Sequence, residues 1–185
     1  MKTIRNVFRK MVQLTILVLL VSGMQSCETE IPPEDLTPPE FIFQITGDGF
    51  FHEFNQDSDF DNFQLNLKND TRYNYVFSGS DQGGVDLIQW FVPGSYALTF
   101  ENPIPAPWTF SNSGSLQSVI EWVGDRSNPL TGQAQSDHFT VRGNNIGTPF
   151  RFFIRDFGGA NRTSNELSKE LNVYIGNHDT ELKAL

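Results

Sequence analysis

From residue 41 onward, apolar and polar positions alternate with a period of two. Phe41, Phe43 and Ile45 take every second place, as do Phe63, Leu65 and Leu67, and then Tyr73, Tyr75 and Phe77. Successive side chains of a strand point to opposite faces, so this alternation predicts strands with one buried face each. Residues 68–72, Lys-Asn-Asp-Thr-Arg, separate the last two and read as a hairpin loop. Further strands are expected at 85–92, 96–100, 119–123, 139–141, 150–154 and 171–175, with a weaker one at 50–54. Residues 85–92 and 150–154 are apolar on both faces, which places them in the middle of a sheet that a loop or partner also covers. One stretch, 164–171, has a helical look, with Ser164 as its cap and Glu166 close behind. Gly, Pro, Asn and Ser fill the gaps. Nine or ten short strands with at most one short helix predict an all-β fold, an antiparallel β-sandwich over residues 41–185.

The chain ahead of this domain has a different pattern. Lys2, Arg5, Arg9 and Lys10 precede an apolar run at residues 11–21. A basic head and a run of about 11 apolar residues make a secretory signal, because a stable bilayer-spanning helix takes about 20. Met24-Gln25-Ser26-Cys27 follows and holds the only Cys in the chain. It resembles the lipobox of bacterial lipoproteins in its Bacteroidota form. That resemblance implies cleavage after residue 26, a diacylglycerol thioether on Cys27 and acylation of the new N-terminus. Glu28-Thr-Glu30 is similar to the acidic signal that sends such lipoproteins to the outer face of the outer membrane. Several acyl chains, at about 0.8 kcal/mol per buried CH₂, hold a protein on its membrane where one chain would not. Residues 28–40 carry four prolines and five acids with little to bury, which predicts an extended, solvated tether. The expected division is a signal at 1–26, a lipidated tether at 27–40 and one domain at 41–185.

Residues 93–100, Pro-Gly-Ser-Tyr-Ala-Leu-Thr-Phe, are similar to a turn and strand of secreted immunoglobulin-like and prealbumin-like modules. The resemblance implies a positive φ at Gly94 and a buried Tyr96 at the start of a strand. The sandwich is accordingly expected to be immunoglobulin-like or a jelly roll.

Charge narrows the partners. The 185 residues carry 13 Lys and Arg against 22 Asp and Glu. Loss of residues 1–26 would leave nine bases and a net charge of −13. Such a surface repels polyanions, so nucleic acid is excluded as a partner. One Cys and three His exclude a disulfide framework and a Cys-rich zinc site, and 17 Phe supply enough apolar area for a packed core.

Candidate chemistry is sparse. Asp57, Asp59 and Asp61 alternate in one acidic stretch and can converge on a hard cation, so calcium is the one cofactor to consider; a solvated acidic loop is the competing reading. Asp48 and Glu53 are available to complete a shell. Trp108 sits in a loop with three prolines at 103, 105 and 107, where an exposed ring would lose little entropy on binding a sugar, or where it would instead cap the core. Tyr174, outward on the last expected strand, is a second stacking candidate, whereas Trp90 and Trp122 fall inside strands and belong to the core. Ser136-Asp137-His138 holds the residue types of a catalytic triad, but neighbours in an extended chain face opposite ways. Glu121 with Asp156 is one carboxylate pair that composition allows a glycosidase. Arg151 and Arg155 share a strand face and should pair with the chain's own acids. Anchor, tether and fold resemble the layout of accessory lipoproteins in Bacteroidota nutrient-uptake systems. That implies a non-catalytic binding module for a glycan, with a structural or adhesive envelope protein and a small hydrolase as the alternatives.

Overall fold

The computed structural model describes residues 31–112 and 116–185. Twelve strands run in the order β1 (Glu40–Gly47), β2 (Phe50–Asn55), β3 (Phe63–Lys68), β4 (Arg72–Ser80), β5 (Val85–Pro93), β6 (Leu98–Phe100), β7 (Thr109–Asn112), β8 (Gln117–Val123), β9 (Gly132–Val141), β10 (Ile146–Asp156), β11 (Glu166–Gly176) and β12 (Glu181–Ala184). They form a five-stranded sheet, β2-β1-β4-β9-β6, and a seven-stranded one, β12-β3-β11-β10-β5-β8-β7. The architecture is an all-β sandwich, with no helix among the described residues.

Alternation builds the core. Phe41, Phe43 and Ile45 from β1, Tyr73, Tyr75 and Phe77 from β4, and Phe139 and Val141 from β9 all point inward from the smaller sheet. Facing them are Ile88, Trp90 and Val92 of β5 and Phe150, Phe152 and Ile154 of β10. The layers are joined by rings: Phe43 meets Trp90 at 4.9 Å and Phe152 at 5.0 Å, and Phe41 stacks on Phe152 at 5.1 Å. Burial of each such side chain stabilises the fold by about 1.5–3 kcal/mol.

Several expectations need correction. The segment at 68–72 is not a hairpin, because β3 and β4 lie in different sheets and the loop arches between them. Asp70 takes a φ of 55° there, and its N–H donates to Val141 O (3.1 Å) while Asn69 N–H donates to Gly176 O (2.8 Å). β3 instead pairs in parallel with β11, so the larger sheet is mixed rather than antiparallel. The stretch at 164–171 is no helix: β11 starts at Glu166. Lys169 hides the period of two, since a charged residue occupies an inward position, its ammonium 5.8 Å from the Phe60 ring centroid. β7 and β12 lie outside the expected strands, being four residues each and mostly exposed. In the 93–100 segment, Gly94 is not among the positive-φ glycines and Tyr96 is 45% exposed; Ala97 and Leu98 are buried instead.

β5 and β10 do sit side by side near the centre of the larger sheet. Their outer faces are covered by arginine stems rather than by a loop. Arg151 lies 5.9 Å over the Phe91 ring and pairs with Glu170 (3.0 Å), and Arg155 pairs with Asp86 (2.7 Å).

The tether expectation is corrected for residues 31–39, which are hydrogen-bonded along the sandwich while Pro33, Glu34, Leu36, Thr37 and Pro38 stay exposed. Ala160 N–H donates to the carbonyls of Pro32 (2.9 Å) and Pro33 (3.2 Å), and Asn165 Nδ2 donates to those of Asp35 (3.1 Å) and Thr37 (3.3 Å). Proline has no N–H but keeps its carbonyl, so an extended Pro-rich strap can dock as an acceptor. Pro39 is buried and β1 begins one residue later.

Candidate functional site

The residues expected to converge on a cation do not do so. Asp57, Asp59 and Asp61 are exposed in the loop after β2. Asp59 closes that loop locally, accepting from Asn62 N–H (3.3 Å) and Asn62 Nδ2 (2.9 Å), and Asp57 N–H donates to Asn55 Oδ1 (3.0 Å). Asp48 is held elsewhere, by Lys68 (3.4 Å) and Thr180 (3.1 Å), and Glu53 by Gln44.

Among the described residues, the carboxylates that come together are Asp35, Asp81 and Asp156, each contributing an oxygen within 4.8 Å of the others. Asp156 is the last residue of β10 and continues its inward row of Phe150, Phe152 and Ile154. Asp81 follows β4 and continues the row of Tyr73, Tyr75, Phe77 and Gly79. One sheet thus supplies each carboxylate at the same end of the sandwich, and the docked strap supplies Asp35. Asp156 is fully buried and accepts from Asn165 N–H and Asn165 Nδ2, both at 2.7 Å. Asp81 accepts from Gly83 N–H at 2.7 Å.

Burial pushes the Asp81 carboxyl up to about 6, a rise that the Gly83 hydrogen bond opposes and the nearby charges of Asp35 and Asp156 reinforce. Three carboxylates so close in a partly dry site repel one another when charged. They can hold a proton between them, or they can present oxygens to a hard cation of the calcium type. A groove of about 570 Å³, bordered by Thr37, Glu40, Ser80, Asp81 and Thr131, opens beside Asp81.

The aromatic candidates separate. Trp108 is not an exposed stacking ring: it is 4% exposed and packs on Phe77 at 6.1 Å, while the residue's backbone N–H donates to Pro105 O (3.1 Å). The proline loop turns the ring inward because the largest apolar side chain gains most from leaving water. Its indole Nε1 is buried without a partner. Trp90 and Trp122 are core residues, as their strand positions implied. Tyr174 does face outward; its hydroxyl donates to Asn145 Oδ1 (2.9 Å), and its ring stacks on His178 at 5.5 Å.

The catalytic candidates do not assemble. His138 Nδ1 lies 2.9 Å from Asp137 Oδ1 and its Nε2 3.0 Å from Glu101 Oε2, so the expectation that these neighbours diverge is corrected, yet both ring nitrogens are occupied and neither is free to serve Ser136. Glu121 lies on the outer face of the larger sheet beside Gln89 (2.5 Å), opposite in orientation to the inward Asp156, so the two carboxylates do not face one cleft.

No protein-family model matches this chain, and neither does any curated protein. Among solved structures it is similar to a cohesin module from Clostridium perfringens ATCC13124 family 33 glycoside hydrolase. That similarity has a TM-score of 0.36 at 10% identity and covers 62% of this chain and 96% of the other.

Proposed function

We propose that this protein is a surface lipoprotein, exported, acylated at Cys27 and held on the outer membrane, whose sandwich acts as a non-catalytic binding module with glycan as its ligand class. The observation that carries the reading is the strap. Cys27 precedes Ile31 by four residues, a reach of at most about 14 Å, and from residue 32 the chain is hydrogen-bonded to the domain. An anchor at Cys27 would therefore hold the sandwich close to the bilayer by a defined end. The occupied nitrogens of His138 and the opposed faces of Glu121 and Asp156 support binding over catalysis.

A second reading, an adhesive envelope protein, is favoured by the sheet edges. β2 is an edge strand with Phe51 61% exposed, and all four residues of the edge strand β7 are exposed, so either can accept an added strand.

Replacing Cys27 with alanine should abolish acyl labelling and release the protein from the membrane fraction. Unchanged fractionation would overturn the anchor. Reversing Glu28 and Glu30 to lysine should leave acylation intact and protect the domain from protease added to whole cells; continued cleavage would overturn the export reading.

A further inference from the structure

We infer that the groove beside the 157–164 loop binds an isolated oxyanion, the carboxylate of a sugar acid within an otherwise uncharged glycan. The inference rests on the glycan reading above. The groove has a volume of about 370 Å³ and is bordered by Arg126, Arg155, Arg162, Asp86, Asp156 and Ser164. Its charges are not balanced. Three guanidiniums stand against two carboxylates: Arg155 pairs with Asp86 at 2.7 Å, and the Asp156 carboxylate is fully buried and hydrogen-bonded by Asn165, leaving one positive charge in excess in the lining.

Arg126 is held by neutral groups: Nη1 donates to Phe157 O at 2.6 Å, Nη2 donates to Gly159 O, and the guanidinium lies 5.6 Å over the Phe157 ring. Carbonyls orient a guanidinium without cancelling its charge, and three of its five N–H groups stay available. Arg162 is exposed and its side chain has no partner among the described residues. It is presented by a loop with three left-handed positions, Gly158 and Gly159 at φ 68° and Arg162 itself at 63°. Elsewhere, Arg72, Arg151 and Arg155 each have an acid within ion-pair distance. Arg142 lacks one but stands at the opposite end of the sandwich, past the end of β9.

Two guanidiniums suit a planar carboxylate, which can accept paired N–H bonds, and the Ser164 hydroxyl can serve a sugar hydroxyl. The chain's formal charge of −9 repels a polyanion approaching from any side. Local attraction and global repulsion together select a ligand with one charge.

The test is a calorimetric titration of the full chain in detergent with a glucuronic-acid-terminated disaccharide, its neutral glucose counterpart, glucose sulfate and acetate. The sugar acid should bind about tenfold more tightly than the neutral disaccharide, a difference worth about 1.4 kcal/mol. Binding should weaken as NaCl rises from about 50 to about 300 mM. Arg162→Ala should lose that preference with an unchanged urea midpoint, and Arg162→Lys should restore part of it. Tighter binding of glucose sulfate would identify the oxyanion as a sulfate ester and overturn the carboxylate assignment. Equal binding of acetate, or of the sugar acid by Arg162→Ala, would overturn the inference. If the neutral disaccharide binds and is indifferent to Arg162, the inference falls and the glycan reading survives; if no member of a broad neutral and acidic glycan panel binds, the glycan reading falls too.

Discussion

Replacing Trp108 with alanine is expected to lower the unfolding free energy by about 3–5 kcal/mol, the range for removing a large aromatic side chain from a core that cannot fully collapse. The ring is 4% exposed and packed against Phe77, itself fully buried between the sheets. The vacated volume would open beneath the proline loop, where residues 103–107 are stiffened by three prolines and can follow it inward only in part. Trp108→Phe is the informative companion. It keeps most of the apolar contact and removes an indole N–H that is buried without a partner, so its loss should stay under about 1.5 kcal/mol. Urea unfolding of both variants, with unchanged slopes, measures the two effects. A loss for the alanine variant of less than about 0.5 kcal/mol, the usual surface range, would mean that the ring stands in solvent and would restore it as a stacking candidate.

The second large effect is a stability that falls as pH rises from about 4 to about 6. Asp81 is the source. Its folded-state carboxyl titrates at about 6, above the ordinary 3.8, because it is buried with two other carboxylates beside it. The folded protein therefore holds a proton that the unfolded chain has already released in that window. The stabilisation from Asp81 is fully present below the unfolded value and is lost as pH rises through the folded one. Asp81→Asn keeps an oxygen for the Gly83 N–H and removes the charge, so it should gain about 1–3 kcal/mol over the wild type near pH 7.5 in chelator and show little difference near pH 4. A variant that is less stable at both pH values would show that the carboxylate is needed as an anion, and the account would fail. Calcium at about 10 mM and about pH 7.5 provides the complementary measurement. A cation held only by the folded state raises the urea midpoint of the wild type and leaves Asp81→Asn unmoved. No shift would leave proton uptake below about pH 6 as the way the cluster loses charge.

How much of this site could be read from the chain follows from where its carboxylates stand. Asp81 and Asp156 extend inward rows that were already evident: two residues beyond Gly79 in one case and beyond Ile154 in the other. A carboxylate two places past the end of a buried row is the available signal; Asp156 is a candidate on composition alone, paired with Glu121, and the row that places it beside Asp81 is what the exposed alternation of Asp57, Asp59 and Asp61 lacks. Asp35 offered no such signal. It belongs to a segment whose prolines and acids describe a solvated tether, and it meets the others only because Ala160 and Asn165 find carbonyl acceptors along that segment. The Trp108 loop was ambiguous for a related reason. Three prolines stiffen a loop equally whether its ring faces out or in, and only the space above Phe77 selects the inward rotation.

The strands themselves were legible because side-chain alternation is a property of each segment alone, written every two residues wherever one face meets a core. The same locality is why the resemblance of residues 1–27 to a secretory and lipobox signal can be stated without any fold. Partner choice is of another kind. An Asn-Asp turn at 69–70 serves a hairpin or an arch between sheets equally well, and it is the free edge of β11 that draws β3 into a parallel pair and so sends β4 to the other layer. Lys169 shows the same limit in one residue: on the inner face its ammonium meets the Phe60 ring, which lies far away in the chain. Periodicity records how a segment meets water and core, whereas pairing, burial of loops and convergence of charges depend on surfaces that exist only once distant segments have packed together.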